Sequence, residues 1–407
     1  MSLLSRGGIW GSALSLTKAT LGSGVLALPY TTRTVGMPLM GGLLTMGAIL
    51  TYASVGMLAE ACEATGMRGY DEIADHLFNG KLAMLVGLAI FGNCFGAAVG
   101  YVISIGDAMK WTGIDRWLVE LITCTVVLLP LVCVYRINSL RYFSFMGVVG
   151  VGLLTFSTVY VLMKEGVSKD IKENHRQIFT TTASMQILNA FSTITFAFVC
   201  QYNVPSLYHE LNIRTPNTMR KVALRSIAIS SSLFIIAGVC GYLAFGYELP
   251  GSILISLQSF IDERDIFILI AVIGCVLSIC IAHTLHVYPI RQTGQYMVRK
   301  FVSESLKENR LLAAGIGGLV VYLSLLVALF FPSFIKVIHL VGAFASSSIA
   351  YIFPPMFKIK LHGKFLAKEL WLEYLMLSIG LVAGSLGTVV AITTIQSIFC
   401  VVPNSFV

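Results

Sequence analysis

The chain of 407 residues is 56% hydrophobic and only 12% charged, with a formal net charge of +8. Because a soluble domain carries about 25% charged residues, lipid has to solvate most of this chain. Basic residues of membrane proteins collect in cytoplasmic loops and near anionic headgroups, so the positive charge does not indicate nucleic-acid binding. The nine cysteines include no CxxC pair, which argues against a zinc site or a disulfide framework.

Apolar runs long enough to cross about 30 Å of hydrocarbon predict an all-α polytopic protein with about eleven transmembrane helices. The first run continues past Pro29, so we interpret it as a retained helix rather than a signal peptide. The predicted spans are 8–34, 37–62, 81–109, 117–136, 141–163, 184–208, 218–246, 265–290, 311–331, 334–357 and 372–400.

The distribution of basic residues orients the predicted spans. With a cytoplasmic N-terminus, about two thirds of the 28 lysines and arginines fall in inner segments, as the positive-inside rule requires. The longest outer segment, 164–183, divides the chain into a first five-helix repeat at 1–163 and a second at 184–360. Residues 361–407 supply the eleventh helix.

The first span contains a glycine pair in the run TKATLGSGVLALPY. Gly22 and Gly24 are costly in a helix interior, and Ser23 between them can hydrogen-bond its own backbone. A break here exposes backbone N–H groups at the start of a half-helix, where a carboxylate is stabilised. Close helix packing is the alternative explanation of such glycines.

The first span of the second half is interrupted at an equivalent place. Gln201, Asn203 and Pro205 lie in an otherwise apolar run, and proline removes a backbone donor and disfavours helix before it. Broken helices at matching positions of two inverted halves are typical of transporter binding sites. We therefore expect the two breaks to meet near the middle of the membrane.

Several motifs resemble those of the amino acid/auxin permease family, which includes sodium-coupled and proton-coupled amino acid transporters. The resemblance covers at least 15–291, and the short terminal segments favour a protozoan-type member. It implies a five-plus-five inverted-repeat fold of the APC/LeuT type, with broken helices 1 and 6 and alternating access. The motifs are GSGVLALPY at 22–30, GYDEIA at 69–74, YVISIGD at 101–107, NVPSLY at 203–208 and YPIR at 288–291.

The resemblance also assigns residues to the amino-acid backbone and its pocket. On the carboxylate side they are Thr20, Leu21, Gly22, Ser23 and Gly24; for the amino group or the side chain they are Phe196, Cys200 and Gln201. The polar residue Asn93 in the third span is a further candidate for the pocket, and helix packing explains it equally well.

Lys18 bears on energy coupling. The sodium-coupled branch has an asparagine sodium ligand where this chain has Lys18, and a threonine ligand where it has Ala282. A fixed ammonium repels sodium at that range, so we expect no sodium site, with Lys18 bracing the first and eighth helices. The alternative is that the Lys18 side chain extends along the helix to the membrane surface, as long basic side chains often do. His283 and His286 are candidates for a coupling proton, and we select His283 for the coupling site.

These observations predict a secondary active or facilitative amino-acid transporter that is sodium-independent, working by proton coupling, uniport or exchange. An amino-acid sensor with the same fold and a polyamine transporter are the alternatives. No metal-ligand, nucleotide-loop or nucleophile motif indicates an enzyme or a cofactor. The expected partners are a free L-amino acid and the lipid bilayer. Without a carboxylate deep in a span, a neutral substrate is favoured over arginine. The plasma membrane is the expected location, with a vacuolar or lysosomal membrane as the alternative.

Overall fold

The computed structural model describes residues 7–78, 80–133, 140–173, 184–301, 310–331, 333–363 and 368–401. Within these ranges, ten helices are long and apolar enough to cross a membrane. The first predicted span adds an eleventh crossing, but it is divided into two helices of 12 residues each. The prediction of an all-α polytopic membrane protein is confirmed, and part of the predicted outer segment, 174–183, lies outside the described residues.

We number the spans 1 to 11 in chain order. Span 1 is Ile9–Thr20 with Gly24–Val35; span 2 is Met37–Thr65; span 3 is Lys81–Ala108; span 4 is Arg116–Cys133; span 5 is Leu140–Glu165; span 6 is Ser184–Phe198 with Val204–Glu210; span 7 is Pro216–Phe245; span 8 is Ile266–Phe301; span 9 is Arg310–Phe330; span 10 is Phe334–His362; span 11 is Trp371–Val401. Short helices at Tyr70–Phe78, Lys169–Glu173, Ile253–Ser256 and Gln258–Asp262 lie in the connections.

The connection between spans 1 and 2 is a single residue. Gly36 adopts φ 79°, a conformation that glycine reaches without the penalty of a β-carbon. Met37 and Pro38 then start span 2, and a proline in the first helical turn loses no intrahelical hydrogen bond. This turn places the second half of span 1 antiparallel to span 2.

Spans 5 and 8 pack backbone against backbone at the centre of the molecule. A β-carbon on Gly150 would lie 2.4 Å from the Gly274 carbonyl oxygen, so glycine is required at this crossing. Small residues at membrane helix interfaces permit such close approach. Span 8 also packs against span 3, while span 7 packs against spans 1, 2 and 5.

Span 10 contains two wide, π-helical segments, Gly342–Ser346 and Ser348–Ile352. Such turns disrupt the regular hydrogen-bond ladder and occur frequently at functional sites. The first segment touches span 6, because a β-carbon on Gly342 would meet the Ser192 carbonyl at 2.0 Å. The apolar pattern of this span does not predict these segments.

Candidate substrate and coupling site

The break in span 1 falls at the predicted glycine pair. The first half-helix ends at Thr20, and Leu21 leaves the helical region with φ −79° and ψ 73°. The Gly22 N–H donates to the Thr20 carbonyl at 2.9 Å, and the second half-helix begins at Gly24. The first N–H groups of a helix have no intrahelical acceptor. This helix start, with its positive dipole end, therefore suits a carboxylate.

Both glycines of the pair are in close contact with other spans. A β-carbon on Gly24 would lie 2.8 Å from the Ala197 Cα atom in span 6. One on Gly22 would lie 2.5 Å from the Tyr101 hydroxyl in span 3, and the Ser23 backbone lies close to the same hydroxyl. The glycines thus serve the break and close packing at once.

The break in span 6 lies next to the break in span 1. Its first half-helix ends at Phe198, and Cys200 has φ −140° and ψ 0°. The Gln201 side-chain oxygen accepts the Cys200 N–H at 2.9 Å. Pro205 lies in the first turn of Val204–Glu210, where its missing N–H costs nothing, and the interruption lies directly before this helix, where the sequence predicts it.

Buried polar atoms near the breaks have no partner within the described part of the chain. They are the Ser23 hydroxyl, Nδ2 of Asn93 and Nε2 of Gln201, on residues with 0% exposure. The other amide atom of Asn93 accepts a hydrogen bond from the Ser346 hydroxyl in span 10 at 2.7 Å. Because buried polar groups are nearly always hydrogen-bonded, these atoms indicate a polar ligand or water.

The other candidates line the same region. The Thr20 hydroxyl donates to the Leu16 carbonyl at 3.0 Å and also contacts Cys200. Phe196 packs against span 10, where its Cβ atom would be 3.2 Å from a β-carbon on Gly342. The structure thus places residues from spans 1, 3, 6 and 10 around the two breaks.

Lys18 is 1% exposed and points into the protein. Its ammonium donates to the Leu21 carbonyl at 3.3 Å, the Ser278 carbonyl at 3.2 Å and the Ser278 hydroxyl at 2.8 Å. Gly147 in span 5 makes room for it, because a β-carbon there would lie 2.4 Å from the Lys18 Cε atom. Snorkelling does not describe this side chain; it connects spans 1 and 8.

The two histidines of span 8 differ in their hydrogen bonds. The His286 ring is hydrogen-bonded to the Tyr202 hydroxyl at 2.9 Å and to the Tyr101 hydroxyl at 3.3 Å. Both ring nitrogens of His283 have no hydrogen-bond partner among the described residues. The sequence pattern favoured His283 and gave no role in coupling to Tyr202, although Tyr202 directly follows Gln201. The structure instead joins His286, Tyr101 and Tyr202, which we call the Tyr–His–Tyr cluster.

The connection between spans 7 and 8 contacts spans 1 and 10. Arg33 donates to the Tyr247 and Leu249 carbonyls at 2.6 and 2.9 Å. A β-carbon on Gly251 would lie 3.0 Å from the Ile335 Cβ atom at the start of span 10. A small cavity of about 160 Å³ remains on this side, and it is lined by Tyr30, Thr31, Thr34, Gln186, Asn189, Ala190, Ile335, Lys336, His339 and Thr394.

A larger cavity of about 530 Å³ lies at the opposite end, where spans 2 and 3 are connected. We call it the loop 2–3 cavity. Burial raises the pKa of Asp71, one of its acidic residues. Its lining residues are Arg68, Gly69, Asp71, Glu72, Ser206, His209, Glu210, Arg214, Tyr288 and Gln292. Ser206 and Tyr288 place this cavity beside the ends of spans 6 and 8, close in sequence to Tyr202 and His286.

Two adjoining broken spans with buried unpaired polar groups near them are the arrangement typical of secondary transporters of the LeuT type. Solved structures with this fold agree. The chain matches a structure of MhsT in complex with L-phenylalanine with a TM-score of 0.60 and 14% identity, covering 94% of this chain and 98% of that one. It matches a structure of a manganese transporter of Eremococcus coleocola with a TM-score of 0.61 and 13% identity, covering 97% of this chain and 88% of that one.

The model of the family "Transmembrane amino acid transporter protein" matches residues 5–398, and the chain belongs to this family. The resemblance found in the sequence is thereby confirmed, and the protein is a transporter rather than an enzyme. Amino acid transporter AVT6E of Arabidopsis thaliana is 24% identical over 96% of this chain and 84% of its own length. Vacuolar amino acid transporter 7 of Saccharomyces cerevisiae is 28% identical over 69% and 57%. Sodium-coupled neutral amino acid transporter 7 of Homo sapiens is 26% identical over 84% and 77%.

Proposed function

We propose that this protein moves neutral amino acids across a membrane by alternating access without sodium, and that the Lys18 ammonium is its built-in cation. The observation that carries the proposal is the position of Lys18 between the break in span 1 and span 8. Its three oxygen partners are two carbonyls and one hydroxyl, the hard ligands that metal cations such as sodium also require. A second cation beside the ammonium would be repelled strongly in this buried site.

The substrate carboxylate binds at the start of the Gly24–Val35 helix, where unpaired N–H groups and the positive end of the helix dipole meet it. The ammonium group of the substrate lies against the last carbonyls of Ser184–Phe198, at the negative end of that half-helix. Gln201 and Asn93 offer amide N–H donors to the remaining polar atoms. The pocket lies among Thr20, Leu21, Gly22, Ser23, Gly24, Asn93, Phe196, Cys200 and Gln201.

A neutral substrate is supported by the charge around the breaks. The buried acidic residues among those described are Asp71, Asp107, Glu120 and Glu373. Asp107 and Glu120 flank Arg116, Glu373 pairs with Lys358, and Asp71 lines the loop 2–3 cavity. A cationic side chain or a polyamine at the breaks would therefore meet donors and Lys18 rather than a carboxylate.

The names of some relatives bear on location. Vacuolar amino acid transporter 7 and vacuolar amino acid transporter 6 of Saccharomyces cerevisiae both carry the word "vacuolar". They support a vacuolar membrane, the alternative given above, over the plasma membrane. In this arrangement the N-terminus and the loop 2–3 cavity face the cytoplasm, and the residues that line the small cavity face the lumen.

The test is uptake of a panel of labelled amino acids by proteoliposomes holding the purified protein, with sodium and pH gradients imposed separately. We expect uptake of neutral amino acids in sodium-free choline buffer, with no more than a twofold gain when sodium is added. Uptake that needs sodium would overturn the sodium-independent mechanism. Transport of arginine or polyamines in preference to neutral amino acids would overturn the substrate assignment.

A further inference from the structure

We propose that His286 binds the proton that is transported with the amino acid, and that the Tyr–His–Tyr cluster links this proton to the substrate carboxylate. The proposal rests on the proposed function, because it assigns a coupling residue to the same binding site. It replaces His283, whose nitrogens contact no polar group among the described residues, with the histidine that contacts spans 3 and 6.

The hydrogen bonds of His286 define its neutral form. The Ala282 carbonyl lies 2.8 Å from Nδ1 and can only accept, so Nδ1 carries the hydrogen. Nε2 is then an acceptor, and the Tyr202 hydroxyl donates to it at 2.9 Å. The Tyr101 hydroxyl oxygen lies 3.3 Å from Nδ1, and because Nδ1 carries the hydrogen, this oxygen can only accept from it. In its neutral form the imidazole can therefore take up one further proton, at Nε2.

Protonation reverses the bond between His286 and Tyr202. A proton that arrives from solvent forms an Nε2–H bond, and Nε2 becomes a donor. The Tyr202 hydroxyl has to turn and accept, so its own hydrogen needs a new acceptor. The substrate carboxylate at the break in span 1, which adjoins the break in span 6, supplies one. Proton release to solvent on the other side of the membrane restores the original arrangement.

The groups that face His286 explain why substrate and proton bind together. Lys18 from span 1, Tyr101 from span 3, Tyr202 from span 6 and His283 on the same span are the titratable groups around it. None of these four supplies a negative charge. A second cation beside Lys18 is costly in a low-dielectric site unless an anion accompanies it. The substrate carboxylate is that anion, and by linkage each ligand then raises the affinity of the other.

Tyr101 provides the physical connection. Its hydroxyl contacts His286 and lies close to the Ser23 backbone at the start of the carboxylate site. A carboxylate bound at Gly24 therefore acts on the same hydroxyl that lies beside the imidazole. Tyr202 and His286 also lie four and two residues before Ser206 and Tyr288, which line the loop 2–3 cavity.

The test measures protons and amino acid in the same proteoliposomes. Vesicles carry a trapped pH-sensitive dye, and a labelled neutral amino acid that the wild type transports is added without an imposed gradient. We expect proton entry with wild-type protein at a fixed ratio to amino acid. For His286→Gln, whose amide can still donate to Ala282 and accept from Tyr202, we expect the ratio to fall at least tenfold. His283→Gln, the matched variant one turn earlier, is expected to keep the ratio.

A wild type that transports amino acid without proton movement would overturn the inference and leave the proposed function standing, whereas a wild type that transports no amino acid would count against the proposed function. An unchanged ratio in His286→Gln would also overturn the inference. If that variant neither folds nor transports, calorimetry of substrate binding to Tyr202→Phe in two buffers of different ionisation enthalpy decides. A proton uptake on substrate binding that differs between Tyr202→Phe and the wild type supports the inference, and an equal uptake overturns it.

Discussion

The Lys18 ammonium lies 2.8 Å from the Ser278 hydroxyl, and this hydroxyl in turn donates to the Gly147 carbonyl at 2.7 Å. One lysine therefore holds spans 1, 5 and 8 together through a chain of hydrogen bonds directed the same way. Its third contact, to the Leu21 carbonyl, fixes the first residue after the half-helix. The cation that positions the break is thus part of the protein.

Replacing Lys18 by methionine should abolish this arrangement. The side chain keeps its approximate length, but the Leu21 carbonyl and both Ser278 oxygens lose their cationic donor. Loss of charged hydrogen bonds in a buried site costs about 3 kcal/mol, so we expect uptake to fall more than tenfold and the melting temperature in detergent to decrease. Lys169→Met, at an exposed lysine, is the control and should change neither value.

Sodium offers a sharper check on the same residue. In Lys18→Met the three oxygens are free to attract a small cation. Partial rescue of uptake or stability by 100 mM sodium, absent in the wild type, would support the view that the ammonium takes the place of an ion. Wild-type uptake rates in the Lys18→Met variant would contradict the role given to this residue.

Gly24→Ala should prevent the close packing of spans 1 and 6. The added carbon would lie 2.8 Å from the Ala197 Cα atom, and backbone atoms cannot yield as a flexible side chain does. We expect at least a tenfold loss of uptake. Gly42→Ala in span 2 is the matched control, since no atom lies within 4 Å of its β-carbon. Equal uptake by the two variants would show that the contact is not needed.

Gln201→Leu tests the break in span 6. This substitution removes the acceptor of the Cys200 N–H and the unpaired donor that we assign to the substrate. We expect the KM for the amino acid to rise about tenfold, corresponding to one hydrogen bond of about 1.4 kcal/mol, with a smaller change in maximal rate. A variant with an unchanged KM and only a lower melting temperature would limit Gln201 to a structural role.

An ion network at the end of spans 2, 10 and 11 predicts an effect on stability. Lys358 pairs with Glu373 at 2.9 Å and with Glu60 at 3.3 Å, and Glu373 is 3% exposed. Lys358→Met leaves the Glu373 carboxylate buried without its cation, which costs about 2 kcal/mol or more. Thermal unfolding in detergent should show a lower melting temperature. Lys360→Met, at an exposed lysine two residues away, should leave the melting temperature almost unchanged.

The sequence predicted the spans well because lipid requires about 20 consecutive apolar residues for each crossing. It also located the break at Gly22 and Gly24, where the cost of helical glycine is a local property. It likewise located the interruption of span 6 near Gln201 and Pro205, but the pattern alone does not show that the first half-helix already ends at Phe198 and that Pro205 lies in the first turn of the second.

Tertiary packing decides what the pattern could not. In the sequence, His283 and His286 both lie in the apolar run of span 8 and cannot be told apart. Only the packing of span 8 against spans 3 and 6 brings His286 to Tyr101 and Tyr202. The wide turns of span 10, which bring Ser346 to Asn93, have no signal in an apolar run. Such turns arise from the competition between helix hydrogen bonds and contacts with neighbouring spans.

The most direct test of the central claim is equilibrium binding of a labelled neutral amino acid to the purified protein in sodium-free choline buffer, repeated with sodium added. The account predicts saturable binding in both buffers with dissociation constants that agree within twofold, and at least tenfold weaker binding by Gly24→Ala than by Gly42→Ala. Binding that appears only with sodium, or that is the same in the two glycine variants, would contradict a sodium-independent site at the break in span 1.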